Sequence, residues 1–147
     1  MLNKLKEKMT PIIIGVFLLG GAYIMFTNNN GSNPSASAQI VDVKVPQLSK
    51  VAKQGEVLFN ESCASCHGAN AGGSDKAPSL ILGIYNPGHH ADESFFRAAQ
   101  FGVTAHHWPF GNMPAIATVN RKDVEKIVTY VRELQVENGI ATQKHVM

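Results

Sequence analysis

Two cysteines and a histidine that lie close together are the residues of this chain best suited to chemistry. Cys63, Cys66 and His67 form a Cys-x-x-Cys-His motif that includes both cysteines of the 147-residue sequence. Thiols three residues apart on a helical turn can each add to a vinyl group of one haem, and the adjacent imidazole then lies under the porphyrin as an axial iron ligand. The motif therefore predicts one haem, bound covalently through Cys63 and Cys66, with His67 on the iron.

Two other uses of such a cysteine pair fit the sequence less well. A thioredoxin-like dithiol requires a βαβ context, and the chain has no alternating strand pattern. Half of a zinc site requires a second Cys or His pair at ligand spacing. With only two cysteines, a disulfide framework is excluded as well.

The elements that must position this motif are helices. Ser49 can cap a first helix that runs to Cys63, and an acidic first turn at Asp92 predicts a second helix that stops at Gly102. Asn120 and Asp123 resemble a capping box at the start of a third helix. Asn138-Gly139 ends that helix. Apolar residues recur along this third stretch at helical spacing, at Val124, Ile127, Val128, Val131 and Leu134. We predict an all-α domain.

The first and third of these helices resemble those of a class I cytochrome c, from about Val51 to Asn138. Gly55 and Phe59 match that family's first helix, in which the glycine permits close helix crossing. Tyr130, with Ile127 one turn earlier, matches the terminal helix that packs across it. The resemblance implies a small cytochrome c fold around one covalently attached haem.

Three further positions gain a role from the same resemblance. Pro78, 11 residues after His67, matches the proline whose carbonyl accepts the hydrogen bond of the ligating imidazole. Leu80 matches the leucine that lies against the haem face. Met113 lies in Gly111-Asn112-Met113-Pro114-Ala115, which resembles the family's loop for the sixth iron ligand, and it is the only internal methionine of the domain. The alternative for Met113 is a core-filling methionine.

Four histidines depart from the commonest pattern of the family, in the pairs His89-His90 and His106-His107. Three interpretations stay open for them: surface or propionate hydrogen bonding, a bis-histidine haem, or contact with a secondary metal. Trp108 is expected to cover the haem pocket, and its N–H could reach a propionate. Arg97 is another propionate candidate, against the alternative of an exposed helix arginine.

The N-terminal segment has the composition of a targeting element. Lys4, Lys6 and Lys8 precede an uncharged run from Pro11 to Phe26 in which 12 of 16 residues are apolar. The lysines favour the cytoplasmic side, which predicts a single transmembrane helix at 1–27 and a haem domain in the bacterial periplasm. The alternative is a soluble periplasmic protein, released by signal peptide cleavage near Ala38.

The remaining boundaries follow from composition. Residues 28–48 are rich in Asn, Ser, Gly and Pro and predict a flexible linker; the cytochrome domain is expected at 49–140 and a short tail at 141–147. Only 16% of residues are charged, which argues against a nucleic-acid-binding tail, and the net charge of +2 is at most a mild hint of an acidic partner.

The predicted function is one-electron transfer with both axial iron ligands retained, so no enzymatic activity is expected. Partners would be transient redox proteins: a quinol-oxidising complex, a terminal oxidase or a periplasmic dehydrogenase. Two alternatives stay open. One is a haem protein with an opening axial position, for gas or peroxide sensing or catalysis, and the other is a fixed cytochrome subunit of a dehydrogenase or oxidase.

Overall fold

The computed structural model describes residues 40–140 and residue 142. Four α-helices occur within them: α1 (Lys50–Ser62), α2 (Ala64–His67), α3 (Asp92–Phe101) and α4 (Arg121–Glu137). Two 3₁₀ turns, Ala69–Ala71 and Gly83–Tyr85, lie between α2 and α3. No strand forms in this part of the chain beyond one isolated antiparallel bridge between Val103 and Met113. The all-α prediction is confirmed for the described residues.

The predicted helix ends match the observed ones because each depends on local hydrogen bonds. The Ser49 hydroxyl accepts from the Ala52 N–H at 3.1 Å and starts α1. Asn120 and Asp123 form the predicted capping box at the start of α4. Gly102 follows α3 with a φ of 74°, a left-handed conformation that ends the helix.

The core forms where α1 crosses α4. Phe59 and Tyr130 are both fully buried there, with ring centroids 5.6 Å apart and planes tilted by 56°. Gly55 lies at the crossing itself, where an added Cβ would collide with the backbone carbonyl of Lys126. The close helix crossing expected at Gly55 is therefore present, and it brings the start of the Cys-x-x-Cys-His motif against the core.

The segment that precedes α1 is attached to the helical domain. Residues 41–48, which were predicted to belong to the linker, lie against the helical domain: the Val41 N–H donates to Gly72 O at 2.7 Å, and Lys44 exchanges two hydrogen bonds with the Asn138 side chain. Leu48 is buried in the core. The apolar residues of this segment explain the difference, because they gain burial by docking.

The predicted membrane anchor at 1–27, the rest of the predicted linker and most of the predicted tail lie outside the described residues. Within the part of the chain that is described, none of the helices has the length and apolar character needed to cross a membrane.

Candidate functional site

The Cys-x-x-Cys-His motif folds into a single tight turn. Cys63 caps the four-residue helix α2, and the His67 N–H donates to the Cys63 carbonyl at 2.9 Å. Cys63 is half-buried against the core, and Cys66 is exposed. Burial, with a smaller contribution from Cys66, raises the pKa of the Cys63 thiol to about 11. Both thiols therefore lie on one helical turn, with Cys63 on its inner side.

Glycine is required immediately after this turn. Gly68 has a φ of 72°, and an added Cβ would collide with the carbonyl of Gly73. The Gly73 N–H donates back to the His67 carbonyl at 2.7 Å. The backbone that follows His67 is therefore closed into a compact loop. This loop fixes the main-chain position from which the imidazole side chain extends.

The His67 ring is oriented by the residue expected to do so. Its Nδ1 lies 2.9 Å from the carbonyl oxygen of Pro78. Because a carbonyl can only accept, Nδ1 carries the proton, and in the neutral ring Nε2 keeps a lone pair for a metal. Burial lowers the pKa of His67, and the hydrogen bond to Pro78 acts in the opposite direction. A neutral, oriented imidazole beside two thiols on one turn is the donor set that covalent haem attachment requires.

A buried serine that the sequence did not single out holds Pro78 in place. Ser79 is fully buried; its hydroxyl donates to the Ala71 carbonyl at 3.1 Å and accepts from the Ile81 N–H at 2.9 Å. The Leu80 N–H donates to the same carbonyl at 2.9 Å. These bonds fasten the Pro78 segment to the loop after His67. Leu80 itself is half-buried and packs against the core cluster.

Met113 lies at the base of a loop that is closed by backbone hydrogen bonds. Val103 and Met113 exchange two of them, at 2.9 and 3.0 Å, and the Ile116 N–H donates to Ala99 of α3 at 2.8 Å. Gly102 lies so close that an added Cβ would collide with the Met113 carbonyl. The Met113 backbone is therefore fixed to the end of α3, and its side chain is half-buried.

Comparison with known proteins decides the family. The family model for Cytochrome c matches residues 52–135, more than half of the chain. This chain belongs to the cytochrome c family. It carries a covalent c-type haem, for which Cys63 and Cys66 provide the attachment motif, and it acts in haem-based electron transfer. The comparisons with curated proteins and with solved structures gave no match.

Trp108 of this cytochrome connects two loops: its own, between Val103 and Met113, and the one that begins with the 3₁₀ turn Gly83–Tyr85. Its Nε1–H donates to the hydroxyl of Tyr85 at 2.9 Å, where a haem propionate had been one expected acceptor. Burial raises the pKa of Tyr85, and the bond from Trp108 partly opposes that shift. Arg97 is exposed on α3.

The same two loops bring the four unassigned histidines together, which sequence spacing alone did not indicate. We call His89, His90, His106 and His107 the histidine cluster; the ring centroids that are in contact within it lie 4.2 to 6.4 Å apart. Burial lowers the pKa of His90 and His107, and positive charge on neighbouring histidines lowers it further. Both effects favour the neutral imidazole, and for His90 the hydrogen bond to the Ile84 carbonyl acts on the pKa in the opposite direction.

Proposed function

We propose that this cytochrome is a class I, one-electron carrier in which His67 and Met113 are the two axial ligands of the haem iron. The observation that carries the proposal is the bond from His67 Nδ1 to the Pro78 carbonyl, 2.9 Å long. It leaves Nε2 as the donor atom and holds the ring against rotation. The haem supplies the one-electron redox chemistry.

The protein's own contribution is to keep both ligands in place. The loop closed by Gly68 and Gly73 holds the backbone of His67, and the paired hydrogen bonds between Val103 and Met113 hold that of the methionine. A weak thioether ligand is retained more readily when its backbone is already fixed, because less conformational freedom is lost on binding. With His67 and Met113 both holding the iron, no iron position would be open to a substrate, and the chain would transfer electrons without making or breaking bonds.

Replacement of the methionine tests this ligand set. We expect Met113→Ala to abolish the thioether-to-iron charge-transfer band of the oxidised protein, to lower the reduction potential and to permit carbon monoxide binding in the reduced state. His106→Ala is the matched control, because it removes a side chain from the same loop and should leave all three properties unchanged. An unchanged spectrum in Met113→Ala would mean that another residue is the sixth ligand. Rapid carbon monoxide binding by the wild type would support an open axial position instead.

The cellular setting is part of the proposal and rests on the N-terminal sequence. Three lysines before an uncharged apolar run favour a single anchor with the haem domain in the periplasm. From there the domain would exchange electrons with transiently bound redox proteins, such as a quinol-oxidising complex, a terminal oxidase or a periplasmic dehydrogenase. The full chain should stay with membranes after alkaline carbonate washing, and a variant that lacks residues 1–27 should not. Release of the full chain would contradict the anchor.

A further inference from the structure

Three histidines of the histidine cluster place donor atoms close together. One ring nitrogen from each of His89, His90 and His107 lies within 4.8 Å of the others. His89 and His90 follow the 3₁₀ turn Gly83–Tyr85, and His107 belongs to the loop between Val103 and Met113. Two separate loops therefore converge on one point with three imidazoles.

One histidine of this set, His90, is held in a form that suits metal binding. His90 Nδ1 donates to the Ile84 carbonyl at 2.8 Å, which leaves the Nε2 lone pair available in the neutral ring. Ligating histidines almost always have such a partner on the other ring nitrogen, because it fixes the tautomer and the ring orientation. His90 therefore has an outer partner of the kind that metal ligands have.

The two loops are fastened to the domain and to each other. Arg132 of α4 donates to the carbonyls of Tyr85 and His90, at 2.8 and 2.6 Å. The Asn86 carbonyl accepts from the backbone N–H groups of His89 and His90, at 3.0 and 2.9 Å. The bond from Trp108 to Tyr85 then connects the His107 loop to the same segment. The segments that carry the three imidazoles are consequently fixed in place by hydrogen bonds of the backbone and of Arg132 and Trp108.

We propose that His89, His90 and His107 bind one divalent transition-metal ion of the Cu²⁺ and Zn²⁺ class, in addition to the haem. Imidazole suits these ions, and the absence of a carboxylate from this set of three argues against Mg²⁺ and Ca²⁺. Cu²⁺ should bind more tightly than Zn²⁺, as the general order of divalent affinities requires. Three protein ligands leave a fourth position open to water or to a small ligand.

The geometry requires only small movements to accept the ion. Two nitrogen ligands on a tetrahedral zinc ion lie roughly 3.3 Å apart, given Zn–N bonds of about 2.0 to 2.1 Å. The donor atoms of the three histidines are at most 4.8 Å apart. His89 and His107 are exposed, so their side chains have room to rotate, and a displacement of about 1 Å of each donor nitrogen would close the difference. The proposed metal site does not depend on the axial ligands of the haem. The proposal would therefore still hold if Met113 were not an iron ligand.

Metal titration of the haem-loaded full chain tests the proposal. We expect Zn²⁺ or Cu²⁺ added alone to bind with a stoichiometry of one per chain in calorimetry, and Cu²⁺ to give an electron paramagnetic resonance spectrum with nitrogen ligation. His107→Ala should raise the dissociation constant at least about 100-fold, the upper end of the loss caused by removing an outer partner of a ligand. His106→Ala, which removes a neighbouring imidazole outside the set of three, should change it little.

The haem absorption spectrum distinguishes a variant that has lost a metal ligand from one that no longer folds. Both variants should keep the wild-type haem spectrum, and saturating Zn²⁺ should leave the axial ligands of the iron unchanged. Equal weakening in the two variants would overturn the assignment to these three histidines. Binding of several ions per chain, insensitive to His107→Ala, would show adventitious surface binding only. Displacement of an iron ligand by mutation of His107 would support a bis-histidine haem instead.

Discussion

At the scale of single residues, a glycine decides how closely α1 and α4 approach each other. Gly55 is buried at the crossing of α1 and α4, and an added Cβ would collide with backbone of α4. Gly55→Ala should therefore force the helices apart and destabilise the haem-loaded protein by about 1–3 kcal/mol. Denaturant unfolding followed by haem absorption measures this change.

Gly83 offers the matched control for that substitution. It is exposed, and an added Cβ would meet no atom within 4 Å. Gly83→Ala should therefore change the free energy of unfolding by no more than about 0.5 kcal/mol. If both variants lost the same free energy of unfolding, the effect would come from adding a methyl group anywhere. The helix crossing at Gly55 would then not be tightly packed.

At the scale of elements, α4 holds the segment that carries His89 and His90. The Arg132 side chain is only 15% exposed; it pairs with Asp92 at 2.8 Å and donates to two backbone carbonyls. Arg132→Ala would leave those part-buried carbonyls without this donor, and we expect a loss of about 2–3 kcal/mol in the free energy of unfolding. Hydrogen exchange at residues 85–92 should also become faster.

Arg121 is the control within the same helix. It also pairs with an α3 carboxylate, that of Glu93 at 2.9 Å, but the Arg121 and Glu93 side chains are 61% and 59% exposed. Solvent screens such a pair, so Arg121→Ala should shift the unfolding midpoint little. If both arginine variants behaved alike, the backbone hydrogen bonds of Arg132 would contribute nothing to stability.

The elements also show what sequence could and could not predict. Helix ends at Ser49, Asn120 and Gly102 were predictable, because the atoms involved lie within a few residues of each other. The His67–Pro78 pair was predictable only through the family resemblance. Three other features could not be predicted, because each depends on how distant loops pack. They are the docking of residues 41–48, the bond from Trp108 to Tyr85 and the convergence of the two histidine pairs.

At the scale of the whole molecule, the net charge of +2 has a definite location. Residues 1–10 hold three lysines and one glutamate, whereas residues 49–147 hold nine basic and nine acidic side chains. The two propionates of the haem make the loaded domain neutral to slightly acidic when its histidines are neutral. Long-range attraction or repulsion of a docking partner is therefore weak at the level of net charge.

This balance predicts weak salt dependence of electron transfer between two copies of the protein. Between about 10 and 100 mM ionic strength the Debye length falls from about 30 to 10 Å, and the self-exchange rate of the full chain in neutral detergent should change less than about threefold. Nuclear magnetic resonance line broadening in half-reduced samples measures this rate. A Lys53→Glu, Lys122→Glu double variant changes two exposed side chains and makes the domain four charge units more negative, so its rate should rise steeply with salt. A steep dependence in the wild type would mean that charge is unevenly distributed around the haem edge, and that docking is steered by this local charge despite the neutral total.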